Sequence, residues 1–163
     1  MSNRAETYAR EFDEHSRQII AAVEGYSPAQ MQARCAGEQC TVAALASHIA
    51  DVHVLVGGWI EQALAGEPLP QVTMDDVHAV NGEQFARDAT RSKDEVLTSL
   101  REKGAYASGL LHGIEDSQLD QPHYFKLADG PVTTEWLVRD ILIGDIAGHS
   151  ASIRAACGET AGV

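Results

Sequence analysis

Asp145 and His149 stand four residues apart inside the apolar run from Trp136 to Ala156, which contains no proline. On a helix, two such side chains project from one face, one turn above the other. Steps of three or four place Val138, Ile141, Leu142, Asp145, His149, Ile153 and Ala156 on that face, which is mostly apolar and should look inward. A buried carboxylate is costly unless something neutralises it, and a divalent cation does so. A second imidazole, His48, lies on the inward face of another apolar helix. Two imidazoles and one carboxylate suit Zn²⁺, Ni²⁺ or Fe²⁺, with metal–ligand distances near ~2.0–2.2 Å. Three protein ligands leave a coordination position for water or substrate, and the remaining positive charge lowers the pKa of a bound water or thiol. The same spacing also admits a plain carboxylate–imidazole contact within one helix, and His48 also fits as a satisfied histidine at the core edge. The residues alone leave these alternatives open.

Other polar side chains compete for the same chemistry. His15 sits on the apolar stripe of the first helix, either as a base or outer partner of the site or as a core histidine. His53, five residues from His48, is too far round its helix to share a ligand and is structural. Asp51 neighbours His48 and could orient it, but its helix face is otherwise polar and solvated. Cys35, Cys40 and Cys157 are few and odd in number, which fits reduced thiols better than a disulfide framework. A zinc set of Cys35, Cys40 and His48 lacks the tight knuckle spacing and a fourth ligand. There is no P-loop, Gly-x-Gly-x-x-Gly or Gly-x-Ser-x-Gly element, and no pair of Glu-x-x-His motifs such as di-iron bundles carry.

These residues need a frame. The 163 residues allow one domain with a sizeable core, and 44% hydrophobic against 22% charged residues fits a globular chain. Twelve Lys and Arg against twenty-four Asp and Glu give a formal charge of -12, with no basic stripe to offset it. Nucleic acid and anionic membrane surfaces are therefore excluded as expected partners. No run approaches the roughly 20 apolar residues of a membrane span, and the first six residues have no apolar core of a signal peptide. A cytoplasmic location is the expectation.

The helical period then divides the chain. Residues 5–24 form a first helix with Tyr8, Phe12, His15, Ile19 and Val23 on one side, stopped by Gly25 and Ser27-Pro28. A connection over 26–40 includes a short helical turn after Pro28. Thr41 caps a second helix to about Leu64, where Leu45, His48, Val52, Leu55 and Trp59 share a face and Ser47, Asp51, Glu61 and Gln62 make the wet side. Residues 75–90 form a shorter helix, and Ser92-Lys93-Asp94-Glu95 is a capping box opening the next, which runs to about His112 with a weak point at Gly104. Gly130-Pro131 ends a polar loop in which 123–127 is the one weak strand candidate. Thr133 or Thr134 caps the last helix. The expected architecture is a single all-α domain over residues 1–163, a four-helix bundle with a short crossover helix between the second and third long helices.

Three segments resemble the DinB/YfiT-like superfamily. Cys40-Thr41-Val42-Ala43-Ala44-Leu45-Ala46-Ser47-His48-Ile49-Ala50 is similar to its second-helix pattern, approximately W-T-V-x-x-L-x-x-H-L-A. Asn81 with Phe85, then residues 92–100, resemble its middle, and residues 144–153 resemble its last-helix motif, where a metal ligand precedes a final histidine by four. The resemblance implies a four-helix bundle with a metal held by three residues, usually all histidines; here these are His48, Asp145 and His149. It also implies a low-molecular-weight thiol co-substrate, since characterised relatives include thiol-dependent transferases and mycothiol-dependent maleylpyruvate isomerases. Two positions depart from the pattern: Asp145 replaces a histidine, and Cys40 replaces the usual tryptophan.

The functional expectation is a metal-dependent enzyme acting on a small molecule, by thiol-dependent transfer, isomerisation or hydrolysis. The rival is a bundle that binds or sequesters a small molecule without catalysis. A homodimer is also expected, because the last helix is apolar almost all round, Ile143 and Ile146 included.

Overall fold

The computed structural model describes residues 3–159. Five helix starts carry the same local device. The side-chain oxygens of Ser27, Thr41, Thr73, Ser92 and Thr133 each accept a bond from the backbone N–H three residues on. This satisfies a donor that a helix start leaves unpaired. The helices that follow are α1 (Arg4–Gly25), α2 (Pro28–Met31), α3 (Val42–Leu64), α4 (Met74–Asp88), α5 (Lys93–His112), α6 (Asp116–Leu119) and α7 (Thr134–Trp136). Helix α7 runs through a π-helical stretch, Leu137–Ile143, directly into α8 (Gly144–Ala156).

Helix α3 is the centre of the molecule. It packs most extensively against α5 and also meets α4, α8 and the π-helical stretch, while α1 packs on α5. Every residue from Val42 to Ala50 is buried. Ser47, expected on the wet side, is fully covered, and Leu55, expected inside, is 49% exposed. The reason is that α3 has neighbours on several sides near its start, so burial there ignores amphipathic phase. By length and composition α3 would be apolar enough to cross a membrane; here it is the core helix, with 72% of its most apolar window buried.

The other elements sharpen the expected pattern. The buried line on α1 runs through Ala5, Ala9, Phe12, Ile19 and Val23, not through Tyr8 and His15. Small residues at this line let helices approach closely. Gly104 on α5 is one such position: a Cβ there would lie 2.9 Å from Ser16 Oγ, so the expected weak point is a packing requirement. Ile143 and Ile146 are both buried within the chain itself, so they call for no partner subunit.

The strand content exceeds the expectation. Pro122–Phe125 (β3) pairs antiparallel with Gly130–Thr133 (β4), around a 3-10 turn at Lys126–Ala128. A second two-stranded ribbon, Arg34–Cys35 (β1) with Cys40–Thr41 (β2), had no expectation at all. Each strand of β1 and β2 has two residues, too few for a period-two pattern to show. Among the described residues all three cysteines are free thiols. Cys35 and Cys40 face each other across this ribbon, and burial pushes their thiols up to about 12 and about 11. Neither is poised as a nucleophile or a zinc thiolate.

Candidate metal centre

Helix α3 supplies His48, and α8 supplies Asp145 and His149. The π-helical stretch just before α8 widens the helix and resets its phase. The core line on α8 consequently runs through Ile146, Ser150 and Ile153, leaving Asp145 and His149 on its flank toward α3. The side chains of His48, Asp145 and His149 are 5%, 19% and 24% exposed. One ligand atom from each lies within 4.8 Å of the others. Asp145 Oδ1 is 3.2 Å from His149 Nε2 and 3.8 Å from His48 Nε2, and the two imidazoles meet edge to face at 5.1 Å.

The outer nitrogens explain why both Nε2 atoms turn inward. His149 Nδ1 lies 3.0 Å from Glu38 Oε1, which also accepts from Ser152 Oγ at 2.9 Å. An ionised carboxylate only accepts, so this contact places the proton on Nδ1. His48 Nδ1 lies 3.5 Å from Gln84 Oε1, and Phe85 packs edge-on against its ring. Orientation of ligating histidines by outer acceptors is the usual architecture of a metal site.

Glu38 comes from the turn of the β1–β2 ribbon, where Gln39 adopts a left-handed conformation with φ 58° and its amide donates to Ala36 O. A bulky left-handed residue costs of order 1 kcal/mol. That conformation lets the chain reverse while Glu38 points at α8. Nothing in the sequence around Glu38 marks it, because the contact to His149 spans 111 residues.

Electrostatics suit a cation. Burial pushes the Asp145 carboxyl up, but the His149 and His48 imidazoles outweigh it and hold it below its ordinary 3.8. Burial pushes His149 down, and Asp145 with Glu38 outweigh that, holding it above its ordinary 6.5. Asp145 Oδ2 and Glu38 Oε2 are buried with no hydrogen-bond partner among the described residues. A buried carboxylate oxygen without a partner is expensive. A divalent cation between the two Nε2 atoms and Asp145 would remove that cost for Asp145, so the donor set fits the metal the resemblance implies. Conversion of Glu38 to glutamine should weaken Zn²⁺ binding by about 10–100-fold while leaving circular dichroism unchanged. Unaltered affinity in a competition titration would show that Glu38 does not hold His149.

The remaining expected candidates fall elsewhere. His15 faces a groove between α1 and α8 and lies 3.9 Å from Glu11, outside the site. Asp51 is partly covered, at 19% exposed, and ion-paired: Lys103 Nζ donates to it and Arg87 reaches it at 3.4 Å, while the partner of His48 is Gln84. His53 is buried against the Phe12 ring, with centroids 4.9 Å apart.

A pocket of about 230 Å³ opens onto His48 and Asp145 between α3 and α4. Of the fifteen residues of α4, Asp88 alone is buried. The helix is held mainly at its C-terminal end, where Thr41 Oγ donates to Ala89 O at 2.8 Å and Arg87 joins Asp88 to Asp51.

Neither a curated protein nor a solved structure matches the chain. The sequence model of the DinB superfamily does match, over residues 11–143. That span contains His48, Glu38 and Gln84 and stops two residues before Asp145. It covers most of the chain, and the protein therefore belongs to the DinB superfamily.

Proposed function

We propose that the protein is a metal-dependent enzyme acting on a small molecule, with a divalent cation held by His48, Asp145 and His149. The observation that carries this reading is the convergence of three ligand atoms within 4.8 Å, two of them imidazole nitrogens already oriented by outer acceptors. The four-helix bundle is part of the proposal, with α1, α3, α5 and the continuous helix from Thr134 to Ala156 as its long members and α4 as the crossover.

When bound, the cation supplies Lewis acidity, lowering the pKa of a coordinated water or thiol. The chain's own residues do the rest. Glu38 and Gln84 keep each imidazole turned Nε2-inward, and Asp145 offsets one positive charge. The apolar residues of the pocket exclude water from the reacting atoms. Thiol-dependent transfer or isomerisation and hydrolysis are the reaction types in view, and a low-molecular-weight thiol co-substrate is carried from the family resemblance alone. A binding bundle without catalysis is the second reading, supported by the half-covered pocket.

Protein purified without a histidine tag should carry, or take up, close to one Zn²⁺, Ni²⁺ or Fe²⁺ per chain, with a rise in melting temperature. Failure to load any of these ions, with melting temperature unchanged, would remove the metal from the proposal.

A further inference from the structure

The chemistry lining the pocket beside His48 restricts what can enter it. Its walls are Val52, Val56, Trp59, Val77, Leu127 and Ile141, with Leu55 and Val80 at the mouth. The polar residues that line it, besides His48 and Asp145, are Asp51, Asn81 and Gln84; among the described residues no lysine or arginine lines it. The nearest cations to Asp51 are committed. Lys103 Nζ is bonded to Asp51 Oδ1, while Arg87 Nη2 lies 2.8 Å from Asp88 Oδ2 and 3.4 Å from Asp51 Oδ2. A substrate carboxylate or phosphate placed away from the cation, against α3 and α4, would meet Asp51 and find no free partner charge among the lining residues. Burying an unpaired charge is strongly unfavourable.

Size restricts it further. A volume near 230 Å³ equals that of about eight waters at ~30 Å³ each in the liquid, below the usual range for drug-sized ligands. Asn81 and Gln84 offer amide donors and acceptors that satisfy a neutral polar group without demanding charge.

We infer that the pocket takes a compact, uncharged, largely apolar molecule whose single metal-directed polar group faces His48 and Asp145. This rests on the metal reading above, and it makes a poor fit for a bulky anionic thiol as the molecule held against α3 and α4.

Two probes sharing one metal-binding head test it: isobutyrohydroxamic acid, with an apolar tail, and succinomonohydroxamic acid, with a carboxylate tail. Binding to Zn²⁺-treated full-length protein is read by calorimetry and ligand-observed NMR, and zinc content is measured separately. The apolar tail should bind at least about tenfold more tightly. Val80→Lys, at a position 49% exposed and so tolerant of change, should narrow or reverse the ratio by offering the missing cation. Equal or tighter binding of the carboxylate tail, binding of neither probe, or a ratio untouched in Val80→Lys would overturn the assignment. Protein without zinc that keeps the tail order would overturn the proposed function and leave the pocket assignment standing. Zinc-loaded protein without a tail preference would do the reverse.

Discussion

Asp145→Asn should lower Zn²⁺ affinity by more than about 100-fold. Loss of an outer partner of a ligand typically costs about 10–100-fold, and loss of a ligating anion exceeds that, corresponding to at least roughly 2.7 kcal/mol. Asparagine keeps the shape of the side chain but removes the charge that the two imidazoles now share at 3.2 and 3.8 Å. Asp145→His is the informative contrast. It supplies a third imidazole, restores the ligand set usual in the resembling family, and should retain metal while raising the site charge by one. Competition with a chromophoric chelator measures both. Equal affinity of Asp145→Asn and the parent protein would remove Asp145 from the ligand set.

Affinity should also fall with pH. In the metal-free protein His149 is held above its ordinary 6.5 by Asp145 and Glu38, against the effect of burial. A metal must displace that proton from Nε2, so proton competition begins near neutrality.

His53→Leu should stabilise the protein, and more so in acid. His53 is 1% exposed, packs edge-on against Phe12 at 4.9 Å, and has no hydrogen-bond partner on either ring nitrogen among the described residues. Removing a buried, unpaired polar group recovers about 1–3 kcal/mol near neutral pH. Burial, aided by Lys103 and opposed by Asp145, pushes His53 from 6.5 down to about 4. The unfolded chain therefore takes up this proton more readily than the folded one, and stability drops as pH falls from about 6.5 toward 4. At 1.36 kcal/mol per pH unit, the span from 6.5 to about 4 corresponds to roughly 3 kcal/mol. His149 works in the opposite sense. Its raised value contributes stability in the metal-free protein that is full below 6.5 and is lost as pH rises through the folded value. Denaturant unfolding of EDTA-treated protein at pH 7.5 and 5.0 separates the two, because only the His53 component disappears in His53→Leu. An unchanged pH dependence in that variant would show that His53 is paired in solution.

The ligand set illustrates how far local pattern reaches. Asp145 and His149 share a face because they are four residues apart, and a helix turns those two side chains the same way whatever surrounds it. His48 falls on an inward position by the same periodicity. The capping residues Thr41, Ser92 and Thr133 are equally legible, since each satisfies a donor only three residues away, whereas the Thr73 cap of α4 is seen only in the structure. Burial of α3 was less so. Ser47 is covered and Leu55 exposed because neighbouring helices, not the phase of α3 alone, decide what water reaches.

Glu38 marks where sequence reasoning ended. It lies in the turn between two two-residue strands, beside a left-handed Gln39, and its meaning comes only from a contact with His149 across 111 residues. The same holds for Gln84 against His48 and for the pairing of Asp51 with Lys103. The long helices, most of their caps and three candidate ligands follow from the order of residues alone, because spacing along one helix is a local property. Only the tertiary structure decided which acceptors orient those ligands and which charges are already spent around the pocket. Such contacts join distant segments and leave no periodic trace in either one.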